Sequence, residues 1–177
     1  MSSALVTGAS SGIGREIART LAPMVDSLII SGRREEPLRD LEKELIGVVD
    51  VKVVIADLST ESGVDFLIEE AGELDILVNN AGYGLYGRVA DQDPDKLLGI
   101  VDVNIRALTK LGHHHSTSMR MRGKGKILNV ASIAAFQPGP GLAVYCASKA
   151  YVLSLSRAMS AELKLSLIHI SEPTRPS

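Results

Sequence analysis

Residues 4–14 read Ala4-Leu5-Val6-Thr7-Gly8-Ala9-Ser10-Ser11-Gly12-Ile13-Gly14. A short apolar, β-prone run passes into a glycine-rich turn, and an amphipathic run begins near Ile13. Glycines permit a tight turn and a close backbone approach, and the free N–H groups of a helix N-terminus favour an anion such as a pyrophosphate. The spacing is G-x-x-x-G-x-G rather than G-x-G-x-x-G. Taken alone, the turn admits two readings: a phosphate site made by Gly8, Ser10, Ser11, Gly12, Ile13 and Gly14, or a structural strand-to-helix connection.

The pattern set by this stretch repeats. Short apolar runs at 4–7, 28–30, 51–56, 74–78 and 126–131 alternate with longer segments at 13–21, 36–46, 60–71, 95–122 and 143–164, whose apolar residues recur at three- and four-residue steps. The first set predicts five strands and the second five helices, each with one buried face. Continuous apolar strands separated by helices predict a parallel sheet covered on both faces, because parallel strands need crossovers and right-handed crossovers place helices there. The fold class is therefore α/β, a doubly wound parallel sheet, and its ligands are expected at the carboxyl ends of the strands where the strand order reverses.

Composition narrows the function. The chain has 177 residues, 45% apolar and 23% charged, which is enough to bury one substantial core and argues for a single domain. A formal charge of −2 gives no long-range field for nucleic acid, and the one basic cluster, from Arg120 to Lys126, is short. The single cysteine, Cys146, forms no internal disulfide, and no Cys/His spacing resembles a zinc site, so no metal is expected. With no basic region before the first strand and no run long enough to cross a membrane, the expected location is cytoplasmic, with no membrane partner.

The strand ends carry the chemistry. After the second strand come Gly32, Arg33 and Arg34. An acidic residue there holds the ribose 2′-hydroxyl of NAD, whereas arginine suits the 2′-phosphate of NADP, so Gly32 followed by Arg33 favours NADP(H) over NAD(H). Arg34 also suits a cap on the next helix. After the third strand come Asp57 and Leu58, and after the fourth Asn79, Asn80, Ala81 and Gly82. A carboxylate and an amide at adjacent strand ends can address an adenine, and small residues leave room for a flat ligand. Asp57 alone reads equally well as a helix cap.

After the fifth strand sits Ser132, then an irregular connection and a helix that opens with Tyr145 and Lys149 four positions apart. Residues at that spacing share a helix face, and an ammonium beside a phenol favours the phenolate, which makes Tyr145 a candidate general acid/base. The segments 83–88 and 134–142 are expected to flank the site. Tyr83 and Tyr86 suit either the pocket or the sheet edge. His113, His114 and His115 are consecutive and so diverge on a helix, and Cys146 reads as packing or as a reactive thiol.

Taken together, Thr7-Gly8-x-x-x-Gly12-x-Gly14, Asp57, Asn79-Asn80-Ala81-Gly82, Asn104, Ser132 and Tyr145-x-x-x-Lys149 resemble the classical short-chain dehydrogenase/reductase family over residues 4–164, with Ser132 thirteen positions before Tyr145. The resemblance implies a Rossmann fold in three α/β/α layers and an oxidoreductase that moves a hydride between NADP(H) and a carbonyl or secondary alcohol. It assigns Tyr145 as proton donor and acceptor, Lys149 to the nicotinamide ribose, Ser132 to the substrate oxygen and Asn104 to a relay water. The glycine turn, Arg33, Arg34, Asp57, Leu58, Asn80, Ala81 and Gly82 are assigned to the cofactor. It also implies a homo-oligomer, dimer or tetramer, paired through the helices at 95–122 and 143–164.

The resemblance stops after Lys164. Residues 1–164 form the expected nucleotide-binding domain. The run from Leu165 onward follows the helix with no Gly, Asn or Pro to end it, and it resembles a translated transposon-end sequencing adapter. Residues 165–177 are therefore set aside as an artefactual tail, and the usual last strands of the family are expected to be missing. On this reading the 177-residue chain is weakly active or inactive, and the alternative function is nucleotide binding without turnover.

Overall fold

The computed structural model describes residues 2–163 and 168–171. Among these, the strands are β1 (Ser3–Thr7), β2 (Ser27–Gly32), β3 (Asp50–Ile55), β4 (Ile76–Asn79), β5 (Gly125–Asn129) and β6 (Ile168–Ser171). The helices are α1 (Gly12–Leu21), α2 (Glu35–Leu45), α3 (Glu61–Ala71), α4 (Pro94–Val101), α5 (Leu108–Arg122) and α6 (Ala143–Leu163). The sheet is parallel with order β3-β2-β1-β4-β5-β6. Its order reverses between β1 and β4, and the loops there part to opposite faces, leaving a crevice.

Strand alternation sorts the core into two layers. Leu5, Ile29, Leu77 and Ile127 face one side and pack with Leu67 of α3, Leu111 and Met119 of α5 and Leu163 of α6. Ala4, Val6, Leu28, Ile30 and Val78 face the other side and meet Ala18 of α1 with Leu38 and Leu41 of α2. Burial on both faces explains why the strands read as continuous apolar runs. The α/β/α Rossmann architecture is the one expected.

Helix ends follow local chemistry. The Thr60 hydroxyl accepts the Gly63 N–H at 3.0 Å and caps α3. Asp93 accepts from Asp95 N at 2.9 Å and precedes Pro94 at the first position of α4, while Gly123, with φ 70°, ends α5.

Two differences from expectation concern the site. The segment read as one helix at 95–122 is α4 and α5 joined by a π-helical turn, Asp102–Ala107. Such turns insert a residue into the helical ladder and are frequent at functional sites; here the turn holds Asn104. The fifth strand closes at Asn129, so Val130 and Ala131 belong to the site rather than to the ladder. Five of the strands are those expected. The sixth, Ile168–Ser171, falls within the segment set aside at 165–177 and pairs in parallel with Gly125–Leu128 along the open edge of β5. An unpaired edge is a template for a β-prone apolar run. The other residues of the proposed tail lie outside the described residues.

Candidate active site

The carboxyl ends of β1 to β5 open into one cavity of about 900 Å³. At one end is the glycine turn. Gly8 has φ 67°, and a Cβ on it would lie 2.9 Å from the Ala81 Cα; a Cβ on Gly14 would collide with the Gly8 carbonyl and the Asn80 amide. The N-terminus of α1 thus packs directly on the turn, with its first N–H groups at the cavity. Thr7, buried, ties the two central strands: its hydroxyl donates to the Val78 carbonyl at 3.2 Å and accepts from the N–H groups of Asn80 and Ala81, both at 3.0 Å.

Arg33 and Arg34 line the cavity beyond β2. Arg34 does double duty: it stands at the N-cap of α2, and its Nη2 donates to the Ser11 hydroxyl at 2.9 Å and the Ser10 hydroxyl at 3.4 Å. Asp57 and Leu58 also line the cavity. Burial works against the Asp57 carboxylate. Donation from Ser59 N–H at 3.0 Å and Ser59 Oγ at 2.8 Å, with the Arg33 charge nearby, nevertheless holds it below the usual carboxylate range. The cap of α3 is Thr60, not Asp57.

Asn80, Ala81 and Gly82 face the cavity, but the Asn80 amide is occupied: its Nδ2 donates to the carbonyls of Thr7 at 2.9 Å and Gly8 at 3.3 Å. These bonds brace the glycine turn and spend the N–H pair, while the exocyclic amine of an adenine, itself a donor, would call on the amide oxygen.

At the other end stand Tyr145 and Lys149, in the first turns of α6. Lys149 is 5% exposed, and its Nζ donates to the Val130 carbonyl at 2.7 Å and lies 5.9 Å from the centre of the Tyr145 ring. Burial pushes its pKa down to about 8, so the ammonium persists at neutral pH. Asn104, 1% exposed, sits behind this pair. Its Oδ1 accepts the Tyr83 N–H and its Nδ2 donates to the Tyr83 carbonyl, both at 3.0 Å, and to Ser148 Oγ at 2.9 Å.

Gly12, Gly14, Asn104 and Ser132 do not line the cavity wall; the other expected site residues do. Ser132 follows Ala131, which does, and its hydroxyl accepts the Ala134 N–H at 3.2 Å, capping the short helix Ile133–Phe136. Sequence reasoning missed the Val130 carbonyl, whose signal was its position at a strand end, and Val103 of the π turn. Both tyrosines left open, Tyr83 and Tyr86, line the cavity, as do Gly84 and Leu142 from the flanking segments.

The other singled-out groups lie elsewhere. His113 and His114 are exposed and His115 is buried, and among the described residues no cluster could hold a metal. Cys146 is buried against Gly139. No described helix is long and apolar enough to cross a membrane.

Comparison with known proteins gives the family. The short chain dehydrogenase family matches residues 2–172, and the chain belongs to that family. It is 34% identical over 164 residues to an uncharacterized oxidoreductase of Staphylococcus epidermidis, covering 90% of this chain and 70% of that protein. It is 38% identical over 162 residues to a 3-oxoacyl-[acyl-carrier-protein] reductase of Rickettsia prowazekii, covering 90% of this chain and 65% of that one. The chain thus spans about two thirds of the length of these relatives. A metagenomic short-chain oxidoreductase solved in complex with NADP superposes with a TM-score of 0.89 at 30% identity, over 99% of this chain and 83% of that one.

Proposed function

We propose that the protein binds NADP(H) and reduces a carbonyl, or oxidises the corresponding secondary alcohol, with Tyr145 as general acid/base. The observation that carries this reading is one continuous cavity with an anion-binding glycine turn and two arginines at one end, and Tyr145 with a buried ammonium at the other. The cradle fits a dinucleotide. The turn has no Cβ at Gly8 or Gly14 to hold a pyrophosphate away from the backbone, and Arg33 and Arg34 stand where no carboxylate takes a ribose hydroxyl. Arg34, steadied by two serine hydroxyls, suits the dianionic 2′-phosphate of NADP.

The nicotinamide cofactor, when bound, supplies or accepts the hydride. The protein's part is the proton and the charge. Tyr145 gives its phenolic proton to the substrate oxygen in the reductive direction and takes it back in the oxidative one. Lys149 binds the ribose hydroxyls and stabilises the phenolate, held in place by Val130. Ser132 donates to the substrate oxygen as negative charge develops there, its O–H being free because the bond from the Ala134 N–H uses only a lone pair. Asn104, whose side-chain N–H pair is spent on Tyr83 and Ser148, would hold a relay water through its oxygens. Tyr83, Tyr86 and Leu142 make the substrate end largely apolar and suit a moderately hydrophobic carbonyl compound. The same chemistry is named in the relative that reduces 3-oxoacyl groups. A homo-oligomer paired through the helical segments at 95–122 and 143–164 belongs to the same reading, as does a tail at 165–177 foreign to the domain.

The test is NADPH binding by fluorescence, together with NADPH oxidation against a panel of aldehydes and ketones, for the parent chain and Tyr145→Phe. Turnover lost with binding retained in Tyr145→Phe supports the reading. Binding without turnover in the parent replaces it with nucleotide binding alone.

A further inference from the structure

We propose that Gly84 is a positioning residue for Tyr145: the Tyr145 ring occupies the space that a side chain at position 84 would fill, and this seat fixes the direction in which the phenol points. The proposal rests on the reading of Tyr145 as proton donor.

A Cβ built on Gly84 would lie 2.8 Å from both Cγ and Cδ2 of Tyr145 and 3.1 Å from its Cβ. These atoms form the root of the side chain rather than a flexible end. Gly84 is not among the glycines with positive φ, so its backbone admits an L side chain, and the need for glycine comes from the ring beside it.

Neither partner can retreat. On one side, both backbone polar groups of Tyr83 are held by Asn104, at 3.0 Å each. Three residues beyond Gly84, the Gly87 N–H donates to the Gly141 carbonyl at 2.9 Å, and Gln92 Nε2 donates to the Gly87 carbonyl at 2.7 Å. On the other side, the Ser148 hydroxyl donates to the Tyr145 carbonyl at 2.7 Å and itself accepts from Asn104. Asn104 therefore locks the segment that carries Gly84 to the helix that carries Tyr145. An added methyl group at 84 must turn the ring, and a misplacement of about 1 Å costs proton transfer roughly a hundredfold.

The chain contains four tyrosines, so labelling with fluorotyrosine yields few fluorine NMR signals, and the Tyr145 signal is the one lost in Tyr145→Phe. In Gly84→Ala, the Tyr145 signal is expected to shift. The Tyr151 signal and NADPH affinity are expected to stay unchanged, and kcat is expected to fall about tenfold or more. An unmoved Tyr145 signal in a folded Gly84→Ala overturns the proposal. Should that variant not fold, cross-relaxation in the parent between the Gly84 α-protons and the Tyr145 ring decides: its presence supports the seat and its absence overturns it. A parent chain that binds NADPH without turnover defeats the oxidoreductase reading, while the fluorine signal still judges the seat.

Discussion

The buried ammonium of Lys149 hangs from the Val130 carbonyl, one residue past the end of β5, at 2.7 Å. This bond joins helix α6 to the strand end where the sheet opens. Burial holds its pKa near 8, below the lysine range of about 10.4 that the unfolded chain retains. Between those values the unfolded chain binds the extra proton, so this group's penalty on stability is full below pH 8 and is relieved as pH rises toward 10. We therefore expect Lys149→Met to raise stability at pH 7 by on the order of 1–3 kcal/mol while abolishing turnover, read by thermal melting and NADPH oxidation. A lowered melting temperature would show that the hydrogen bond outweighs desolvation.

His115 predicts the acid limb. It is 1% exposed, and among the described residues neither ring nitrogen has a hydrogen-bond partner. Burial, with the charges of His114 and Arg122 nearby, pushes its pKa down to about 4. The folded state thus needs the neutral ring, and stability is lost as pH falls from the unfolded value of about 6.5 through 4. In His115→Leu, the loss of stability between pH 6.5 and 4 is expected to shrink, as measured by urea denaturation at a series of pH values. An unchanged slope would place the acid sensitivity elsewhere.

Thr7 holds the two central strands together at the crevice. Thr7→Val keeps the shape but strips an acceptor from the N–H groups of Asn80 and Ala81. The expected loss is about 1–3 kcal/mol, accompanied by weaker NADPH binding because Asn80 braces the glycine turn. Unchanged stability in denaturant titration would mean that water replaces the hydroxyl.

Cofactor choice tests the two arginines. Arg33→Ala and Arg34→Ala are each expected to weaken NADPH binding by about tenfold or more and NADH binding by less, because on the proposed reading each removes a charge-assisted contact to the 2′-phosphate, Arg34→Ala also removing the bonds to Ser10 and Ser11. Titration of both cofactors by fluorescence checks this. Equal losses for NADH would assign the arginines to the shared pyrophosphate or to the turn.

Much of this was legible along the chain. The apolar runs at 4–7 and 28–30 lie within β1 and β2, and the glycine turn lies between β1 and α1 at the reversal of strand order, because strand period and turn chemistry act between near neighbours. The four-residue step from Tyr145 to Lys149 likewise placed both on one cavity wall. The π turn at Asp102–Ala107 was not legible, since its period is carried by one inserted residue within an apolar pattern that otherwise continues as helix.

The sequence by itself determined the layers, the strand ends that carry chemistry and the residue types gathered there. The tertiary structure decided where each polar group spends its hydrogen bonds. Asn80 gives its side-chain N–H groups to the Thr7 and Gly8 carbonyls, Arg34 folds onto Ser10 and Ser11, and Gly84 gives its space to Tyr145. Periodicity is a property of adjacent residues, whereas these partners lie 23 or more positions apart and meet only when the sheet brings their loops to one edge.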